Sequence, residues 1–264
     1  MDRAPAASAS CSGKKCGMRP RAPLLALLVG FAAVGVSVAS ASGAVHRRYP
    51  LHRAIVSTTF WVGEIFDTTA SDGSQVFSTY DRLWLAHYGG CDGRMRGSVC
   101  ETERRRADNG YFPRSMTPRE NPFYLDLPFD DLNNSAAFRA RAQVVPWAQD
   151  PGYAGHARDH RFSYMKNRWV KLTGPNRHTC YGQIEDAGPG LYNDSRYVFG
   201  QHNARPANRR YNHAGMDVSP ALNGCLGFAE LNGERDNVSW RFVERVAVPH
   251  GPWTRIVTTS SVTN

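Results

Sequence analysis

Alternation of apolar and polar positions governs the C-terminal half of the chain. Residues 237–246, NVSWRFVERV, bring Val238, Trp240, Phe242 and Val246 round in near alternation, the pattern of a half-buried strand. Residues 169–189 read as a strand, a Gly174-Pro175-Asn176 turn, and a second strand that ends in Glu185, Asp186 and a Gly188-Pro189 turn. Residues 215–228, GMDVSPALNGCLGF, change period in mid-run. Met216 and Val218 flank Asp217 on the opposite face of a short strand; Ser219 then takes an N-cap position, with Pro220 at the first helical site. Ala221, Leu222, Cys225 and Leu226 make the apolar stripe of a short helix that Gly227 closes.

The rest of the chain carries weaker periodicities. Residues 55–66, IVSTTFWVGEIF, predict a strand with a kink at Gly63, and 122–127, PFYLDL, predict another. Residues 135–145 have helical spacing, ending at Pro146. Residues 73–85 fit a strand pair or a short helix equally. Further strands are expected near 196–200 and 253–257. Residues 89–119, rich in Gly, Arg and Asp, predict a long loop, and about 67–164 as a whole is expected to be a loop-rich insertion.

The N-terminal pattern is of another kind. Arg19 and Arg21 precede an apolar run over 24–38, and small residues stand at Ala39 and Ala41, the layout of a secretory signal peptide spanning 1–41, with Met18 as an alternative start. The run falls short of the ~20 residues of a spanning helix, so no lasting membrane anchor is expected. Residues 42–54 predict a flexible lead-in to a single domain over 55–264. Losing 1–41 would take five Lys/Arg and one Asp from the 32 and 23 of the whole chain, leaving a net charge of +5. That mild surplus suits an acidic polymer, and no basic block is long enough to argue for nucleic acid.

Four cysteines would remain: Cys91, Cys100, Cys180 and Cys225. An even number in a secreted chain implies disulfides, with three pairings possible. Cys91 and Cys100 close the Gly-rich loop CDGRMRGSVC, which favours a local bridge and leaves Cys180 for Cys225. No C-x-x-C occurs. Asp130-Asp131 lacks the interleaved spacing of a calcium loop, and His156 and His160, though four apart, stand where a loop enters a strand. No metal or other cofactor is expected.

The segments CYGQIEDAGP, GMDVSPA…LG and VSWRFV, in that order, resemble the double-psi β-barrel superfamily: expansins, barwin-like and rare-lipoprotein-A-like proteins, and certain barrel endoglucanases and lytic transglycosylases. The likeness covers about the last ninety residues and, beyond them, the Thr58–Phe66 strand. It implies a mainly β fold, a six-stranded double-psi β-barrel with a short capping helix. It also implies glycan chemistry at the acid before the helix, here Asp217, with Met216 where that superfamily usually has an aromatic.

Two functions follow as expectations. In the first, a secreted protein acts on cell-wall glycan or another polysaccharide and cleaves it, with Asp217 as general acid. Asp186 or Glu185 would be its partner; alternation allows only one of them to face the cleft, and the resemblance favours Asp186. A lytic transglycosylase would need Asp217 alone. In the second, an expansin-like protein binds polysaccharide without cutting it. Trp61, Tyr181 and Trp253 are candidate platforms for sugar stacking, Trp240 belongs to the core, and Arg205 and Arg209 are expected to overhang the site. The protein is expected to be a monomer.

Overall fold

A computed structural model describes residues 47–69, 73–231 and 235–263; the expected leader, and the lead-in up to residue 46, lie outside the described residues. Residues 47–51 are tied to the body, because the Arg47 guanidinium pairs with Asp150 at 2.7 Å and Tyr49 is buried. The elements, in order, are β1 (His52–Thr59), α1 (Trp84–Tyr88), β2 (Arg94–Arg96), β3 (Val99–Glu101), β4 (Tyr124–Asp126), α2 (Ser135–Val144), β5 (Trp169–Thr173), β6 (Thr179–Asp186), α3 (Ser195–Val198), β7 (Met216–Val218), α4 (Pro220–Leu226) and β8 (Asp236–Val243).

Six of the strands close a barrel in the order β1-β7-β4-β6-β5-β8. Two contacts are parallel, β1 with β7 and β4 with β6, and the other four are antiparallel. Alternation along these strands sends Ile55, Leu125, Leu172, Ile184, Val218, Val238 and Trp240 into one core. Helix α4 covers the side of the barrel. Its start is written in the sequence: Ser219 Oγ accepts the Leu222 N–H at 3.2 Å, Pro220 holds the first turn, and Gly227 ends it at φ 70°. Gly182 of β6 lets α4 approach, since a Cβ there would come within 2.9 Å of Leu222 Cδ1 and 2.7 Å of the Phe123 carbonyl. The Cys180–Cys225 disulfide ties the same two elements, and Cys91–Cys100 closes the β2–β3 hairpin.

The structure corrects several expectations. The first strand begins at His52 and stops at Thr59, because Trp61–Glu64 folds into a turn in which the Glu64 N–H donates to the Trp61 carbonyl and Gly63 adopts φ 90°. Residues 67–164 are not one insertion, because β4, a barrel strand, divides them. The strand expected at 196–200 is the short helix α3, which Asp194 caps by accepting the Tyr197 N–H. The strand expected at 253–257 is replaced by a 3-10 turn, Pro252–Thr254, closed by a bond from the Gly251 N–H to Thr254 Oγ1. In both places a local cap outcompetes β propensity. Asp130 accepts the Leu132 and Asn133 N–H groups and so forms a polar turn. His156 stacks on Phe162 and His160 on Phe138, so the two rings have different neighbours. Among the described residues no helix is long and apolar enough to cross a membrane.

Candidate functional site

Strand register puts three carboxyls in one row. Asp217 of β7 pairs with Asp126 of β4, and Asp126 pairs with Asp186 of β6; Thr58 of β1 extends the row on the other side of Asp217. Asp217 and Asp126, directly opposite each other, project to the same face, and a register shift between Leu125 and Asp126 brings Asp186 rather than Glu185 opposite Asp126. Met216 and Val218 are fully buried on the inner face, which turns Asp217 to the half-buried outer side.

The row is closely connected. Asp126 Oδ1 accepts the Asp217 N–H at 2.9 Å, and the two carboxyls share a hydrogen bond. Both converge over Gly188, where a Cβ would lie 2.6 Å from Asp126 Oδ2 and 3.2 Å from Asp217 Oδ2. Asp186 Oδ1 accepts the N–H groups of Thr79 at 2.7 Å and Ala187 at 2.8 Å. Asp217 Oδ1 is buried and has no hydrogen-bond partner among the described residues. A fourth carboxyl stands near: Glu64, in the turn after β1, accepts the Trp61 N–H at 3.4 Å and feels the charge of Asp217.

Crowding these acids away from water holds protons on them. Burial, reinforced by the charge of Asp186, pushes Asp217 up to about 7, against the hydrogen bond from Asp126. Asp126 is pushed well above the carboxylate range by burial and then by the charges of Asp217 and Asp186. Burial also raises Asp186 to about 7, although its backbone N–H partners oppose this, and raises Glu64 to about 8. The N-terminus of α4 favours an ionised Asp217. Desolvation outweighs it. In this arrangement Asp126 keeps a proton, and Asp217 titrates near neutrality beside it.

The other residues singled out from the sequence are dispersed. Glu185 projects away from the row, as alternation demands, and binds Lys166 Nζ at 2.7 Å; burial raises it to about 7 while Lys166 opposes the shift. Tyr181 lies five residues up β6 from Asp186, roughly 16 Å of strand. There it packs on Trp253, with ring centroids 5.1 Å apart, in a cluster with Trp169 and Val248. Those two aromatics therefore stand about 16 Å along the strand from Asp186 and form no wall of the acid row. Arg205 is a strut as well, its guanidinium bound to the carbonyls of Arg53 and Ala54 at 2.6 Å. Trp61 stands beside Glu64 and donates its indole N–H to the Cys100 carbonyl at 2.9 Å. Arg209 lines an open cleft with Leu191, Tyr192, Arg210 and Tyr211.

Sequence reasoning missed Asp126 and Glu64. Each had one signal, an acid set inside a run otherwise apolar: PFYLDL for Asp126 and WVGEIF for Glu64. A charge in the interior of a strand core is costly unless its surroundings use it.

No protein-family model matches the chain, and no curated protein matches it at a significant level.

Proposed function

We propose that this protein is a secreted double-psi β-barrel that cleaves cell-wall glycan or another polysaccharide by general acid catalysis, with Asp217 as the proton donor. The observation that carries this reading is the pairing of Asp217 with Asp126. Among the described residues the Asp217 carboxyl accepts no backbone N–H and meets no guanidinium; its hydrogen-bonded neighbour is another acid that holds a proton. A structural strut would have the opposite surroundings, with donors that fix the charged form.

In the reaction, the Asp217 O–H protonates the glycosidic oxygen as the bond to the anomeric carbon breaks. The oxocarbenium-like sugar is then captured by water, with Asp186 as the carboxylate that takes the water's proton, or by the sugar's own hydroxyl in a lytic transglycosylase, whose proton returns to the Asp217 carboxylate. Reprotonation of Asp217 is helped by Asp126 at its side. The double-psi assignment is supported by the two parallel pairs, β1 with β7 and β4 with β6, inside one closed barrel. Secretion is supported by the leader pattern and the two disulfides.

Zymography on peptidoglycan and on β-glucan tests the reading. Wild type should clear one of them; Asp217→Asn should clear neither, while binding the polysaccharide and melting as wild type does. A wild type that cleaves nothing yet pulls down wall material would establish the expansin-like binder instead.

A further inference from the structure

The chain leaves Asp186 into residues 187–194 and returns to Asp217 through residues 207–215, so the segments beyond the two outer acids of the row face each other. Between them is a cleft of about 610 Å³. Gly190 lines it, only two residues from Gly188, whose backbone lies against both the Asp126 and the Asp217 carboxyls. Two residues of extended chain span at most ~7 Å. The cleft therefore begins within about 7 Å of chain from the acid row.

Its lining is unusual for an exposed surface. Leu191, Tyr192 and Tyr211 are 49, 42 and 60 % exposed. Beside them are Arg209 and Arg210, both exposed, with no ion pair to either guanidinium among the described residues. No acidic side chain among the described residues lines the cleft. Elsewhere in the barrel, buried or half-buried cations are matched: Arg105 with Asp92, Lys166 with Glu185 and Arg168 with Glu244.

We propose that this cleft selects a glycan that carries carboxylates, its sugar faces stacked on Tyr192 and Tyr211 and its carboxylates paired with Arg209 and Arg210. The inference rests on the reading of Asp217 as a glycan-cleaving acid and adds the substrate's class. A guanidinium presents a planar fork that matches a carboxylate in a way a single ammonium does not. A pyranose offers an apolar C–H face to an aromatic ring and hydroxyls at its edge, which suits the amphipathic tyrosine. An anionic chain could not approach a row of ionised acids; the proton held at Asp126 lowers that barrier, and the two arginines supply the attraction.

Binding of Asp217→Asn to matched glycan pairs tests this, with cleavage by wild type measured in parallel. One pair is β-1,4-glucuronan fragments against cello-oligosaccharides of equal length; the other is peptidoglycan strands before and after amidation of their carboxyls. In at least one pair the acidic member should bind about tenfold more tightly, the effect of one charge-assisted contact. Adding Arg209→Gln and Arg210→Gln should remove that advantage without changing the melting temperature, and the corresponding Lys pair should restore part of it. Equal binding of acidic and neutral members, with cleavage intact, overturns the inference and leaves glycan cleavage standing. An acidic preference that survives loss of both arginines overturns its assignment to this cleft. If wild type neither binds nor cleaves any of the four, the inference falls together with the reading beneath it.

Discussion

Asp126 offers the sharpest test of how the acid row holds its protons. If Asp126 is the protonated member, Asn is its isostere: one oxygen still accepts the Asp217 N–H, and an amide N–H replaces the acid O–H toward the Asp217 carboxyl. Asp126→Asn should then fold with a stability near pH 4, where wild type still holds this proton, within about 1 kcal/mol of wild type. Asp126→Ala should lose about 3 kcal/mol, because it leaves the partly buried Asp217 N–H unpartnered, about 1–3 kcal/mol alone, and opens a hole between β4 and β7. The pH dependence separates the cases further. A carboxyl whose folded pKa is raised contributes stability that is fully present below its unfolded value of about 4, and that is lost as pH rises toward the folded one. Asn has no proton to lose. Relative to wild type, Asp126→Asn should therefore gain stability with pH above about 4, at up to about 1.4 kcal/mol per pH unit. Urea unfolding of the three proteins from pH 4 to 8 measures both effects. Asparagine as damaging as alanine, or a pH slope equal to that of wild type, would refute the assignment of the proton to Asp126.

Other outcomes follow from the same geometry. Glycan cleavage should fall as pH rises above about 7, where Asp217 gives up its proton, a limb visible in a kcat/KM profile. Gly188→Ala should cost about 1–3 kcal/mol by forcing Asp126 aside and should reduce cleavage more than binding, read by thermal unfolding and turnover. Replacing Cys180 and Cys225 together with Ser should cost about 4 kcal/mol on a loop-entropy basis, given their separation of 45 residues, and this is measurable by urea unfolding. Ser219→Ala should cost about 1 kcal/mol and lower the melting temperature, through loss of the α4 cap.

What could be read from the chain was local in origin. The switch from strand to helix at Ser219-Pro220, the end of α4 at Gly227, and the opposition of Glu185 to Asp186 depend on neighbours in sequence, and a period or a cap displays them. The row of acids does not. Asp126 meets Asp217 across a register set by residues ninety-one apart, and nothing in PFYLDL announces that partner. Tyr181 and Trp253 lie away from the acid row for a similar reason, since alternation tells which way a side chain points and not how far along a strand the acids lie. Arg205 is expected to overhang the site from its place in the connection before β7; its fork binds the carbonyls of Arg53 and Ala54. The short helix α3 displaced an expected strand because the Asp194 cap decides the backbone before Tyr197, Val198 and Phe199 can pair.

The parallel contact of β1 with β7 also governs the order in which the chain can assemble. Ser57 meets Met216, and the other edge of β1 meets β8, so the N-terminal strand has no place until nearly the whole chain is present. Until then the unit available is β4, β6 and β5, three strands with both outer edges open. Such edges invite pairing with other chains, and contacts so distant in sequence close slowly. A chain truncated before residue 216 should therefore aggregate rather than fold into a smaller barrel. In the intact protein, β1 finds its neighbours only among the last fifty residues of the chain.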